Sequence, residues 1–292
     1  MPRDPGARGG PSRAPHPPLP LLPPRALLLD HGGVLARSVK RPERLPAFAD
    51  HVLALAGGLT GLDRGRVLQD IRAGRAAYGN WKNGTARSTA PREVTHRELW
   101  AEFIAADWPG PARAAVSAEA TGLCRALVLA ESDKTHDPAM VDVLRLCAEH
   151  GIRTGIVSNT LVGALNREMA AAGGLAPYLG VQVYSDETGH RKPGPELMLL
   201  AARALGTDPA DCWYVGDNYD RDVVCGIRAG IGRTVLMRPE DRLDPTAHPQ
   251  PDTVVHDGEG LLALLHSALT GPDTADRGGT RTTETADRGE HA

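Results

Sequence analysis

Acids, a hydroxyl and a lysine recur where apolar runs of this chain stop. Asp30 follows Ala26-Leu27-Leu28-Leu29, and Ser158 follows Ile156-Val157. Lys192 stands between Arg191 and Pro193. Asp217 and Asp222 follow the run from Cys212 to Gly216. An acid at the end of a buried run costs stability unless it is paired, so Asp30 is expected to meet a cation, a phosphate or both. Each type suits one task in moving a phosphoryl group. A carboxylate can attack phosphorus and form an acyl phosphate. Carboxylates together hold a hard cation. A hydroxyl and backbone N–H groups hold the transferring group, and a lysine balances the crowded acids.

Such residues act together only if one element edge gathers them. From Asp137 onward, strand and helix patterns alternate. Strands are predicted over 154–157, 181–184, 212–215, 234–237 and 254–255, with helices over 138–150, 161–172, 195–205, 221–229 and 260–269. With the buried strand ending at Leu29, this predicts an α/β, doubly wound (Rossmann-like) parallel sheet with right-handed crossovers. In such a sheet all strands end on one edge, where ligands bind. Gly32 and Gly33 let the backbone turn sharply and approach a bound group.

Between Ser38 and Asp133 no strand signal is seen. Helices are predicted over 45–56, 66–78, 92–106 and 117–129, separated by Gly57-Gly58, Gly79-Asn80 and Pro109-Gly110. This reads as an inserted all-helical domain over 38–135, with Trp81, His96, Trp100 and Trp108 as landmarks. The usual use of tryptophan there is as a core anchor. Trp81, Lys82, Asn83 and Arg87 are further candidates to face a substrate. The core is expected over 25–37 and 136–270. The Pro-rich 1–24 and the polar 271–292, in which Thr-Ala-Asp-Arg-Gly occurs twice, read as disordered extensions.

Composition narrows the class. Hydrophobic residues make up 41% of the chain and charged residues 24%, ordinary values for a globular protein. The net charge of −3 gives no nucleic-acid footprint and no basic membrane face. No apolar run is long enough to span a bilayer. Cys124, Cys147, Cys212 and Cys225 have no metal-site or disulfide spacing, which fits a reducing, cytoplasmic compartment.

In order, Asp30-His31-Gly32-Gly33-Val34-Leu35, Ser158, Lys192-Pro193 and Gly216-Asp217…Asp222 resemble the four motifs of the haloacid dehalogenase (HAD) superfamily. The helical insertion resembles that superfamily's small α-helical cap. The resemblance covers residues 25 to 270. It implies a nucleophile and Mg²⁺ ligand at Asp30, with the backbone carbonyl of Gly32 as another ligand. It implies phosphate binding by Ser158 with the Asn159 backbone beside it, and pairing of Lys192 with nucleophile and phosphate. Asp217 would be the main distal Mg²⁺ ligand, and Asp222 would support the metal or Lys192 from behind. Asn218 and Asp220 share that loop; Asp220 reads as a helix-start acid favoured by the dipole.

The pattern departs from the family at Gly32. Most HAD phosphatases carry there a second aspartate that protonates the leaving group and then activates water, help worth about 10²–10⁴-fold. Three explanations stay open. The substrate has a good leaving group; the acid comes from His31, a cap residue or water; or the protein binds phosphorylated ligands or metal without turnover. Dehalogenation is a fourth, set against by the retained metal-binding acids. The expectation is a Mg²⁺-dependent phosphatase acting on a small phosphorylated metabolite through an aspartyl phosphate.

Overall fold

The computed structural model describes residues 21–57 and 61–271. The expectations for 1–24 and 271–292 fall almost wholly outside these residues. Contacts group the chain into Pro24–Leu265, which carries everything below, and a small terminal unit that includes the end of the last helix.

The sheet begins with β1 (Ala26–Leu29), whose four side chains are completely buried. Each leucine taken out of water there contributes about 1.5–3 kcal/mol. Burial on both faces is why this run lacks alternation. In chain order follow β2 (Ala36–Lys40), α1 (Leu45–Ala56), α2 (Arg64–Thr85), α3 (His96–Glu98), α4 (Gly110–Ala118), α5 (Ala120–Glu131) and β3 (Ser132–His136). Then come α6 (Pro138–Glu149), β4 (Arg153–Ser158), α7 (Gly163–Ala172), β5 (Leu179–Tyr184), α8 (Ser185–Thr188) and α9 (Glu196–Ala204). The chain continues through β6 (Cys212–Gly216), α10 (Val224–Ala229), β7 (Arg233–Met237), β8 (Thr253–Val255) and α11 (Gly258–Thr270).

Six strands form one sheet in the order β5-β4-β1-β6-β7-β8, every pairing parallel. Strand β1 lies inside it, flanked by β4 and β6. Ala26 and Leu28 pack with Leu197, Met198 and Ala201 of α9 and Cys225 of α10. The doubly wound parallel sheet predicted from the strand–helix alternation is the one observed. The four cysteines are buried and unpaired. Among the described residues no helix is long and apolar enough to cross a membrane.

The segment between β2 and β3 builds a second core. Phe48, Val52, Val67, Ile71, Trp100, Val116, Leu123 and Leu127 bury against one another, and Leu161, Val162 and Leu165 from the segment after β4 join them. The helical body is therefore fastened beside the end of β4. His96 Nε2 meets the Leu161 carbonyl at 2.6 Å. Trp108 donates to Asp70 Oδ2 at 2.8 Å, and Trp100 is fully buried.

Two details of this region differ from the sequence reading. The segment is not wholly helical: β2 and β3 pair antiparallel over five residues at its base, Ala36 opposite His136 and Lys40 opposite Ser132. Both strands are mostly polar, β2 largely exposed and β3 largely half-buried, so no alternation announced them. Their pairing is non-local and is backed by Arg41 and Arg44, both on Asp133, at 2.6 and 2.5 Å. The helix predicted over 92–106 is only α3 followed by a wide turn over Leu99–Ile104, started by a Thr95/Glu98 capping box. The helix predicted over 117–129 is two, α4 and α5, meeting at Glu119.

Candidate active site

Register alone brings the sequence-predicted residues together. Leu29 is level with Ile156 of β4 on one side and Val215 of β6 on the other. All three strands run the same way, so Asp30, Ser158 and Asp217 emerge at one edge. Lys192 arrives from the loop between α8 and α9.

Lys192 is the hub. Its side chain is 1% exposed, with Nζ 3.0 Å from Asp30 Oδ2 and 2.6 Å from Asp222 Oδ1. It also donates to Tyr214 Oη at 2.7 Å. Burial works against its charge, but Asp222 and Asp30 outweigh that cost and hold its pKa above the ordinary lysine value. The Tyr214 hydroxyl in turn donates to Asp222 Oδ1 at 2.9 Å. Asp222 Oδ2 accepts the backbone N–H groups of Asp217 and Asn218 at 3.1 and 3.0 Å. Both oxygens of Asp222 are thus committed, one to the lysine and one to the loop that carries Asp217. Asn159 clamps Lys192 from the other side. Its Oδ1 accepts the Lys192 backbone N–H and its Nδ2 donates to the Lys192 carbonyl, both at 2.9 Å.

Asp30, Asp217 and Asp222 each offer a carboxylate oxygen, and the three lie within 4.8 Å of one another. Burial, then the neighbouring charges of Asp30 and Asp222, push the Asp217 carboxyl up to about 6. Crowded oxygen donors with a surplus of negative charge are what a hard divalent cation fits. Asp217 accepts no hydrogen bond from a described residue, and Asp30 takes one donor on each oxygen, the His31 backbone N–H at 2.7 Å on Oδ1 and Lys192 Nζ at 3.0 Å on Oδ2, so both keep lone pairs for a cation, whereas Asp222 takes two donors on each oxygen. Close approach makes glycine necessary at 33. With φ at +80°, a Cβ there would lie 2.3 Å from Asp217 Oδ2.

A cavity of about 620 Å³ opens over this edge. Asp30, Gly32, Ser158, Asn159, Lys192 and Asp217 line it. The Ser158 residue is buried, yet its hydroxyl makes no hydrogen bond to any described residue. His31 is placed differently and does not line the cavity. Its ring is 1% exposed and sits edge-on to His136 at 5.9 Å. Burial, then Lys134 and His136, push it down to about 3, so it is neutral and turned aside. The expectation that His31 supplies the missing acid does not fit this placement. Trp81, Lys82, Asn83 and Arg87 do not line the cavity either. Trp81 stacks on Tyr78 at 6.1 Å, and the Tyr78 hydroxyl donates to Glu93 at 2.9 Å. Glu93, itself buried, also accepts from Ser185 at 2.7 Å and pairs with Arg191 at 3.1 Å, which ties the helical body to the segment leading into Lys192.

Several cavity residues carried no signal in the sequence: Arg37, Asp137, Arg221, Arg238, Arg242 and His256. Arg37 lies on the polar strand β2 and the others in loops or short helical turns, where neither spacing nor periodicity marks a function. In the sequence Tyr214 is only one residue of an apolar strand. Its preceding run places it on β6 facing Lys192, which a lone Tyr in a buried strand could have hinted at, since its hydroxyl needs a partner.

Residues 24–230 match the family model described as haloacid dehalogenase-like hydrolase. N-acylneuraminate-9-phosphatase from Mus musculus is 33% identical over 101 residues, 35% of this chain and 41% of that protein, so the chain spans about two-fifths of that relative. Glyceraldehyde 3-phosphate phosphatase from Methanopyrus kandleri is 28% identical over 219 residues, 73% of this chain and 84% of that protein. Among solved structures, 2-haloacid dehalogenase from Pseudomonas syringae superposes with a TM-score of 0.58 at 17% identity, covering 82% of this chain and 97% of that one. At that identity the likeness concerns the fold. The family match over most of the sheet, its strand order and the acids gathered at its edge lead to one conclusion: this chain belongs to the haloacid dehalogenase-like hydrolases.

Proposed function

We propose that the chain is a Mg²⁺-dependent phosphatase acting on small phosphorylated metabolites in the cytoplasm, with the helical body as its cap. The observation that carries the reading is Lys192 held between Asp30 and Asp222 in a cavity that also exposes Asp217. Relatives named as phosphatases support the reaction class. A haloacid dehalogenation has no use for the second acid at Asp217, which favours phosphate chemistry.

In this reading Asp30 attacks phosphorus in line and the P–O bond to the leaving group breaks. The alcohol or acid departs, taking its proton from water because Gly32 offers no acid. Water then cleaves the aspartyl phosphate, releasing inorganic phosphate and restoring Asp30. Lys192 holds the nucleophile and a phosphate oxygen. Ser158 contributes its hydroxyl, which no described residue engages, and Asn159 its backbone, because its amide side chain is committed to Lys192. Asp30, Asp217 and the Gly32 carbonyl would hold Mg²⁺, while Asp222 keeps Lys192 and the 217–218 loop in place. The ion would neutralise charge on the phosphate oxygens. The cap excludes water during the first step.

The test is a phosphate-release screen over a metabolite panel, with and without Mg²⁺. Asp30→Asn is expected to lower turnover by at least about 10³-fold while leaving the melting temperature near that of wild type. Undiminished turnover would remove the nucleophile assignment. Halide release from a haloacid without metal would replace the phosphatase reading with dehalogenation.

A further inference from the structure

The cavity carries more fixed positive groups than its ion pairs use. Five fixed cations line the cavity: Arg37, Lys192, Arg221, Arg238 and Arg242. Lys192 is paired with Asp30 and Asp222. Arg37 is paired with Asp137 at 3.2 Å. Arg221, Arg238 and Arg242 form no ion pair with any described carboxylate, although acids are close by. Asp257 lines the same cavity, but its Oδ1 accepts the Gly260 N–H at the start of α11. Asp244 senses Arg238, yet its Oδ1 is taken by the N–H and hydroxyl of Thr246 at 2.8 and 2.6 Å. Asp257 and Asp244 thus each commit one oxygen to the backbone or a hydroxyl, and Arg221 is near enough to Asp217 to favour its charged form without pairing with it.

Arg221 and Arg238 are anchored through their backbones, whereas Arg242 is exposed. Arg221 sits four residues past Asp217, in the helical turn Tyr219–Val223 that follows β6. Arg238 directly follows Met237, the last residue of β7, and Arg242 lies in the turn after it. The Arg238 backbone N–H donates to the Val255 carbonyl at 2.8 Å, and His256 Nδ1 meets the Arg238 carbonyl at 3.0 Å. Its guanidinium lies 5.7 Å from the centre of the Tyr219 ring. Neighbouring strands are about 4.8 Å apart, so the end of β7 stands roughly 10 Å across the sheet from the end of β1. Arginine side chains reach back over part of that span. A phosphate at Asp30 and Lys192 therefore leaves these arginines free for a second acidic group a few bonds away. Guanidinium forks suit such groups, because they bind carboxylate and phosphate oxygens in pairs.

We propose that Arg221, Arg238 and Arg242 form a second anion subsite, so that the preferred substrates are phosphomonoesters bearing a further carboxylate or phosphate on a short scaffold. This rests on the phosphatase reading for the first site but is tested by binding. Full-length wild type in EDTA and full-length Asp30→Asn in Mg²⁺ are titrated calorimetrically with two matched pairs. One pair is phosphogluconate and glucose phosphate, phosphorylated on the same terminal carbon. The other is fructose bisphosphate and fructose monophosphate. The first pair reads a carboxylate at the subsite and the second a phosphate. In at least one pair the doubly acidic member is expected to bind about 10–100-fold tighter. The double variant Arg238→Gln/Arg242→Gln, checked for an unchanged melting temperature, is expected to remove that preference. Arg221→Gln alone, checked in the same way, should reduce it. Equal affinities within both pairs, or a preference that survives the double substitution, would overturn the subsite. Failure of wild type to release phosphate from any substrate would overturn the phosphatase reading and leave these binding results standing.

Discussion

Asp222 sits behind the two acids that face the cavity, and its four contacts account for their geometry. One oxygen takes Lys192 and Tyr214, the other takes two backbone amides. The lysine is thereby aimed at Asp30, and Asp217 is pressed into a crowd of like charge. Its carboxyl is raised from the ordinary 3.8 to about 6. A raised carboxyl favours the fold while protonated, below pH 3.8, and that contribution is lost as pH climbs to about 6. In metal-free protein, Asp217→Asn should therefore stabilise the fold above pH 6 by about 1–3 kcal/mol and flatten the loss between those limits. Urea denaturation across pH checks this; equal pH profiles for variant and wild type would contradict it. Gly32 gives the second prediction at this scale. A Cβ there would meet nothing within 4 Å, so an acid can be installed without a clash. Gly32→Asp is expected to raise turnover of phosphate esters with poor leaving groups by about 10-fold or more, and good ones much less. An aryl and alkyl phosphate series reads the change in slope; a parallel loss on every substrate would show that a missing acid is not what limits the rate.

At the scale of elements, close backbone contact sets what the helical body tolerates. Helix α2 crosses the wide turn over Leu99–Ile104 at Gly74, where a Cβ would lie 2.5 Å from the Phe103 carbonyl oxygen and 2.7 Å from Ile104 Cα. Both are backbone atoms, so neither can swing away. Alanine gains about 1 kcal/mol of helix propensity over glycine, but overpacking of this kind costs about 1–3 kcal/mol. Gly74→Ala is therefore expected to lower stability by roughly 1–2 kcal/mol. A rise in the denaturation midpoint would mean that the two elements separate readily. The Arg75–Glu131 pair, doubly bonded at 2.7 and 2.9 Å, joins α2 to the end of α5 just before β3, and so braces the helical body against its ribbon.

For the molecule as a whole, metal, fold and charge are linked. Acids concentrated at one sheet edge destabilise the empty site, and a cation that binds only the folded chain offsets this. Mg²⁺ at 100 times its dissociation constant should stabilise wild type by about 2.7 kcal/mol. Asp217→Asn should lose most of that gain. Thermal melts with Mg²⁺ and with EDTA measure it, and identical melting temperatures for wild type in both would argue against a metal at these acids.

The strand–helix alternation after Asp137 and the apolar run before Asp30 were enough to determine a parallel doubly wound sheet, because buried parallel strands must be apolar on both faces and need helices between them. That architecture in turn places Asp30, Ser158 and Asp217 on one edge from strand order and register alone. The sequence could not show that the β2–β3 ribbon exists, since two short polar strands separated by the whole helical body pair only once that body brings their ends together. Nor could it turn His31 away from the cavity or bring Tyr214 onto Lys192, because side-chain direction follows from packing. That Arg221, Arg238 and Arg242 form no ion pair with a described carboxylate belongs to the same class. Every charge is legible in a sequence, but which charges find partners is settled only by the tertiary arrangement that brings some acids to them and commits others elsewhere.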